Sequence, residues 1–336
     1  MAPRVTWIPT GGTIEAVGRD RLDLVSYGES GRRITPAEIL AGLPELAGVA
    51  EVRAVPWADP GRAQLPPSHA WTLADLTALA RLVRRAASES EGVVVTCGTN
   101  GLEETAYFLD RVLDGDSVPV VVTGAMRPAS ALGRDGPANL LSAVRVAAHP
   151  GARGCGVLVA LDDAILPARD ATKATTYHRG AFRSPAFGPL GFTDADGAVV
   201  LRRRPAPSSP RARFDLDALP DAPPRVDVIA SYLGADGALV EAAVTAGARG
   251  IVHAGLGAGH PTPGEWAALK RAADAGVLVC QAARAGSGRV VAHGPIRSGG
   301  FVASGDLSPW KARVLLSLAL ARGDDAAAAQ AAFDDA

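Results

Sequence analysis

VVVTCGTNGLEETAYFLD, residues 93–110, decides the fold, because a strand, a turn and a helix follow one another within it. The run of valines is apolar on both faces, as in a strand covered by helices on either side. Gly98 then opens a turn that leaves Thr99 exposed before the helix begins. The start of the chain repeats the arrangement in IPTGGTIEA, residues 8–16. There a short apolar strand (Val5, Trp7, Ile8) stops at Gly11 and Gly12, and the next residue, Thr13, carries an uncrowded hydroxyl. One reading is a plain strand-to-helix turn, with the glycines supplying unusual backbone angles and Thr13 acting as a cap. The other is chemical. Sites in open α/β sheets lie beyond the carboxyl ends of the strands, and two strand-end threonines of one sheet would face a single cleft.

Outward from these two segments, short β-branched runs alternate with helical ones, the signature of a parallel sheet covered by helices. VPVVVTGA, GVLVALDD, VDVIASY, GIVHAGL and VLVCQA are further buried-strand candidates. Residues 72–88 predict an amphipathic helix, with Leu73, Leu76, Ala80, Val83 and Ala87 on one face and Arg81, Arg84 and Arg85 on the other. A late helix is framed by Ser308 as N-cap, Pro309 at the first helical position and Gly323 as its stop. The Ala-rich tail reads as a helix end that frays.

The stretch RRRPAPSSPRARFDLDALPDAPPR, residues 202–225, holds too many prolines for a central strand or helix and reads as an interdomain connection. The expected organisation is a larger α/β domain over 1–202 with a mostly parallel sheet, a Pro-rich linker over 203–224 and a smaller α/β domain over 225–336. A chain of 336 residues exceeds the length at which one core stops growing, which also favours two domains.

Apolar residues make up 48% of the chain and charged ones 21%, the profile of a soluble α/β protein. Formal charge is −1 and no dense Lys/Arg cluster interleaves with aromatics, so neither nucleic acid nor a membrane surface is an expected partner. Cys97, Cys155 and Cys280 lack C-x-x-C spacing and read as reduced, packed thiols of a cytoplasmic protein. The six histidines are scattered, so no metal and no cofactor is expected. MAPRVTWIPT runs straight into the first strand, without the pattern of a signal peptide, and no segment approaches a membrane span. A small-molecule substrate is the partner that remains.

With these motifs in place the chain resembles the bacterial L-asparaginases, threonine-dependent amidohydrolases with two α/β domains. The resemblance rests on TGGTIEA, on GTNGLEETAYFLD against that family's H-G-T-D-T-x-E-E-T-A-Y-F-L, and on VTGAMRPASALGRDGPANL, RDATKATT, FGPLGF and GFVASGDLSPWKARVLLSLAL, all in the family's order. It implies that Thr13 attacks a side-chain carboxamide, that Tyr27 in LVSYGESGRR is the tyrosine of a mobile lid, and that Thr99 and Lys173 relay protons or orient water. It also implies that the backbone at Ala125 contacts the departing amide, and that the chain assembles as a dimer or tetramer with sites at the subunit contact. On the residues alone, Lys173 reads more often as a solvated surface lysine, and a partly exposed loop aromatic is the alternative reading of Tyr27.

The match fails at several places. The family's aspartate after the second threonine, which grips a substrate α-ammonium and pairs with the lysine, is Asn100 here. The family's G-S-Q-x-M loop falls at GRAQL, which puts Arg62 at the serine and Ala63 at the glutamine; a one-residue slip would restore Gln64. The asparagine of the family's G-N-G turn is Ala258, and a glutamate given by a neighbouring subunit falls near Gly294 in a stretch without acids. Drift and mis-registration explain these departures in one reading. In the other, the substrate lacks a free α-ammonium, as in an N-acylated or peptide-linked asparagine-like unit or a succinamate-like acid, with Arg62 taking a carboxylate. A conventional L-asparaginase and a non-catalytic ligand-binding protein on the same fold are the alternatives.

Overall fold

The computed structural model describes residues 2–57, 66–114, 118–205 and 213–336. They fall into two compact units, Met1–Pro207 and Ser208–Ala336. The first unit is built on an eight-stranded sheet. Its strands are β1 (Arg4–Pro9), β2 (Glu51–Ala54), β3 (Gly92–Thr96), β4 (Val120–Thr123), β5 (Val157–Leu161), β6 (Ala164–Pro167), β9 (Gly191–Thr193) and β10 (Val199–Leu201), while β7 (Thr172–Lys173) and β8 (Phe182–Arg183) form a separate two-stranded ladder. The order is β10-β9-β6-β5-β4-β3-β1-β2.

From β2 to β5 every pairing is parallel, and beyond β5 every pairing is antiparallel. The switch has a local cause. Asp162 and Asp163 join β5 to β6 with φ of +49° and +63°, the left-handed pair that a two-residue hairpin requires and that aspartate tolerates better than most residues.

Helices α1 (Pro36–Ala41), α2 (Leu73–Glu89), α3 (Leu102–Val112) and α4 (Gly136–Ala148) complete this unit. Alternation along the strands divides their side chains between two faces. On one, Val5, Trp7, Val94, Val121 and Leu158 share a core with Leu140, Ala143, Val144 and Ala147 of α4. The helix over residues 72–88 is present as α2, started by Thr72, whose side chain accepts the Asp75 amide. Its buried stripe ends on Ala86 rather than Ala87, as the 3.6-residue period from Val83 demands.

The second unit has a four-stranded, all-parallel sheet in the order β11-β12-β13-β14, formed by Val226–Ala230, Gly250–Gly255, Leu278–Ala283 and Val302–Ala303. Helices α5 (Ala238–Thr245), α6 (Pro263–Asp274), α7 (Gly294–Gly299), α8 (Pro309–Arg322) and α9 (Ala326–Asp334) belong to it. Ser308 caps α8, and Gly323 ends it at φ +87°. Within the Pro-rich stretch Phe214, Leu216 and Leu219 are buried. The tail does not fray: Asp325 caps α9, Ala329, Ala332 and Phe333 are buried, and Gln330 bonds both backbone groups of Ala303. An Ala-rich face packs where a bulkier one would not, and composition alone hides that.

Candidate active site

β1 and β3 are parallel neighbours with Pro9 opposite Thr96, so the turns that follow them leave the sheet side by side. Gly11 and Gly12 hold φ of +87° and +96°, which other residues rarely adopt. A Cβ on Gly12 would lie 2.7 Å from the Cα of Gly98, so the two turns touch backbone to backbone. That contact brings Thr13 and Thr99 to one cleft of about 740 Å³. Ser68 braces the second turn, its hydroxyl donating to the Gly98 carbonyl (2.8 Å) and accepting the Gly101 amide (3.2 Å).

Thr13 Oγ1 and Tyr27 Oη are 2.9 Å apart. The excursion that carries Tyr27 is pinched at its base, where the Val17 amide donates to the Arg32 carbonyl and the Ile34 amide to the Glu15 carbonyl. Glu15 also accepts the Gly11 amide at 3.1 Å, which folds the Thr13-bearing turn back on itself. Burial raises the Glu15 carboxyl above its ordinary value, with the Arg33 charge and the Gly11 amide opposing the rise.

On the other side Thr99 is buried, and Lys173 Nζ donates to Thr99 Oγ1 (3.0 Å) and Asn100 Oδ1 (2.9 Å). Burial holds the Lys173 ammonium below the ordinary lysine value. The loop after β4 is clamped by Asp135, whose carboxylate accepts the amides of Met126 and Arg127 at 2.9 Å each, and by Asn139, which donates to the Gly124 carbonyl (2.9 Å).

Thr13, Tyr27, Thr99, Asn100 and Lys173 therefore line one cleft. Ala125 is buried and does not line it; its neighbour Met126 does. Arg62, with Ala63 and Gln64, lies outside the described residues. Ala258 sits exposed in its turn and Gly294 opens α7. Arg33, Ser68 and His69 also line the cleft and escaped the sequence reading. Arg33 stands at the end of the tyrosine-bearing stretch and could have been found there; Ser68 and His69 sit in a Pro-flanked segment with no motif. Cys97, at the family's histidine position, is no rival nucleophile, because burial pushes its thiol up to about 12. Among the described residues no group of three or more His, Cys, Asp or Glu could hold a metal ion. No described lining residue is an acid, whereas Arg33 and Lys173 are cations.

Residues 4–206 match the family model described as Asparaginase, N-terminal, and residues 225–333 match the Glutaminase/Asparaginase C-terminal domain. The chain is 35% identical to L-asparaginase 2 of Escherichia coli (strain K12) over 99% of its length and 93% of that protein. It is 34% identical to Glutaminase-asparaginase of Pseudomonas fluorescens biotype A, over 98% of this chain and 89% of that one. The crystal structure titled "Probable Cytoplasmic L-asparaginase" from Campylobacter jejuni superposes with a TM-score of 0.91 at 33% identity, covering 99% of this chain and all of that one. Fold and likeness together define an amidohydrolase that acts on linear amides. The chain belongs to the asparaginase family.

Proposed function

We propose that the protein hydrolyses the terminal carboxamide of asparagine- or glutamine-like substrates through an acyl-enzyme on Thr13. The observation that carries this is the pairing, in one cleft, of Thr13 with Tyr27 at 2.9 Å and of Thr99 with Lys173 at 3.0 Å. A hydroxyl is a weak nucleophile until a neighbour takes its proton. Thr13 Oγ1 attacks the amide carbon, its proton passes by way of the Tyr27 hydroxyl to the leaving nitrogen, and ammonia departs. Water, oriented by Thr99 and Lys173, then attacks the ester and frees the acid and Thr13. The loop at Ala125 meets the leaving amide in this reading. Dimeric or tetrameric assembly with sites at the subunit contact, and a cytoplasmic location, go with it; one structural neighbour is named cytoplasmic and another relative periplasmic.

The test is ammonia release from L-asparagine and L-glutamine. Thr13→Ala should lower kcat by at least ~10³-fold. Equal turnover in the variant would remove the nucleophile from this account.

A second reading of substrate choice is favoured by the absence of acids among the described lining residues and the presence of Arg33 and Lys173. A free α-ammonium gains no charged partner from these residues, and losing a charge-assisted hydrogen bond costs about 1.5–3 kcal/mol. In this reading N-acetyl-L-asparagine or succinamate matches or exceeds L-asparagine in kcat/KM, with Arg62 or Arg33 taking a carboxylate. A kcat/KM for L-asparagine well above both would return the enzyme to conventional asparaginases.

A further inference from the structure

Lys173 has little local structure of its own. Its strand β7 has two residues and forms a two-stranded ladder with β8, Thr172 opposite Arg183 and Lys173 opposite Phe182. A ladder of that length is marginal in water. Yet the ammonium at its end makes bonds of 3.0 and 2.9 Å to Thr99 and Asn100, and a working group must be held to about 0.5 Å.

Glu103 supplies a tie. Its side chain, only 9% exposed, extends from the first turn of α3. Oε2 accepts the main-chain N–H of Lys173 at 3.1 Å, and Oε1 accepts the Thr172 hydroxyl at 3.3 Å. The helix starts directly after Thr99, Asn100 and Gly101. Both acceptors of the ammonium and the acceptor of its main chain therefore come from one unbroken stretch, residues 99–103. Any shift of that stretch carries lysine and threonine together.

We propose that Glu103 is a positioning residue: by holding the Lys173 main chain and the Thr172 hydroxyl it sets the lysine ammonium against Thr99. It does not line the cleft, so it meets no substrate. The two bonds it makes to this ladder go to a neutral N–H and a neutral O–H, so for this tie reach matters more than charge. This inference rests on the reading of Thr99 and Lys173 as reacting groups.

Two variants separate reach from charge. Glu103→Gln keeps the length and an oxygen acceptor but loses the charge; Glu103→Asp keeps the charge and is one methylene short. With L-asparagine and N-acetyl-L-asparagine as probes, Glu103→Asp should lower kcat about tenfold or more while KM stays within about twofold, since misplacing a reacting group by an ångström can cost 10²-fold. Glu103→Gln should stay within about threefold of wild type in kcat. A Gln variant that falls as far as the Asp variant, or an Asp variant with wild-type kcat, overturns the proposal. So does a fall in kcat accompanied by an equal rise in KM. Should Glu103→Asp not fold, Thr172→Val decides: a several-fold fall in kcat at constant KM supports the tie, and an unchanged kcat refutes it. Thr13→Ala in the same assay keeps the two levels apart. Turnover surviving there contradicts the site itself, whereas an inactive Thr13→Ala beside an unaffected Glu103→Asp contradicts only the role of Glu103.

Discussion

At Asn100 an amide oxygen stands 2.9 Å from Lys173 Nζ, where a carboxylate would bring a full negative charge. Burial already favours the neutral amine of Lys173, and Asn100 does nothing to reverse that. Asn100→Asp should therefore raise the lysine pKa, move the lysine-dependent limb of the pH–rate profile to higher pH and increase turnover of free L-asparagine. A profile and rate unchanged from wild type would show that position 100 does not govern the lysine. Tyr27→Phe tests the opposite side of the cleft. Losing the hydroxyl 2.9 Å from Thr13 should lower kcat by about 10²-fold or more, the scale of a positioned proton-transfer group, with KM moving far less. At this scale the sequence was readable where a cleft residue sits on a glycine-marked turn, as at Thr13 and Thr99. It was silent on Ser68 and Glu103, which bond to groups 30 or more residues along the chain and leave no local spacing.

At the scale of elements, the loop that follows β4 depends on one carboxylate. Asp135 is 7% exposed and takes two main-chain amides of that loop, so Asp135→Ala should destabilise the protein by about 3 kcal/mol, read from urea unfolding, as buried amides lose a charged acceptor. In the second unit β12 and α6 are joined by buried polar groups: His253 Nε2 lies 3.2 Å from Glu265 Oε1, and its Nδ1 lies 2.7 Å from Gln281 Nε2. Burial holds His253 below its ordinary 6.5, despite Glu265 and Gln281. Burial pushes Glu265 up, but the Ser231 hydroxyl, the Thr262 amide and His253 together hold it below its ordinary 4.5. The unfolded chain thus binds more protons than the folded one below 6.5, and stability must fall as pH drops through that value, then again below 4.5 as Glu265 titrates. The urea midpoint measured from pH 8 to 4 should show both losses, and His253→Gln should abolish the first. Element identity was legible here because caps and strand composition are local. The antiparallel turn after β5 was not, because Asp-Asp gains its hairpin geometry only once β6 has a partner to pair with.

Over the whole molecule, the alternation of β and helical runs was enough to assign the α/β class, since each parallel strand needs a crossover to reach its neighbour. What alternation could not supply was the antiparallel half of the large sheet and the packing of α9. Both depend on contacts between segments distant in sequence. The three cysteines give a global measurement, since Cys97, Cys155 and Cys280 are all buried and burial raises each thiol above its ordinary value. A thiol reagent should leave the native protein unmodified and fully active, and label all three sites in urea. Rapid labelling of Cys97 in the native state would contradict the packing of the second threonine turn.

The meeting of Gly12 with Gly98 has an evolutionary consequence. A Cβ at position 12 would collide with the Gly98 backbone and push the second turn away, and a Cβ at position 98 would lie 2.5 Å from Ser68 Oγ and push out the serine that braces that turn. Any side chain at either glycine would therefore disturb the placing of Thr99 against Thr13, and a saturation library at either codon selected for activity should return glycine alone.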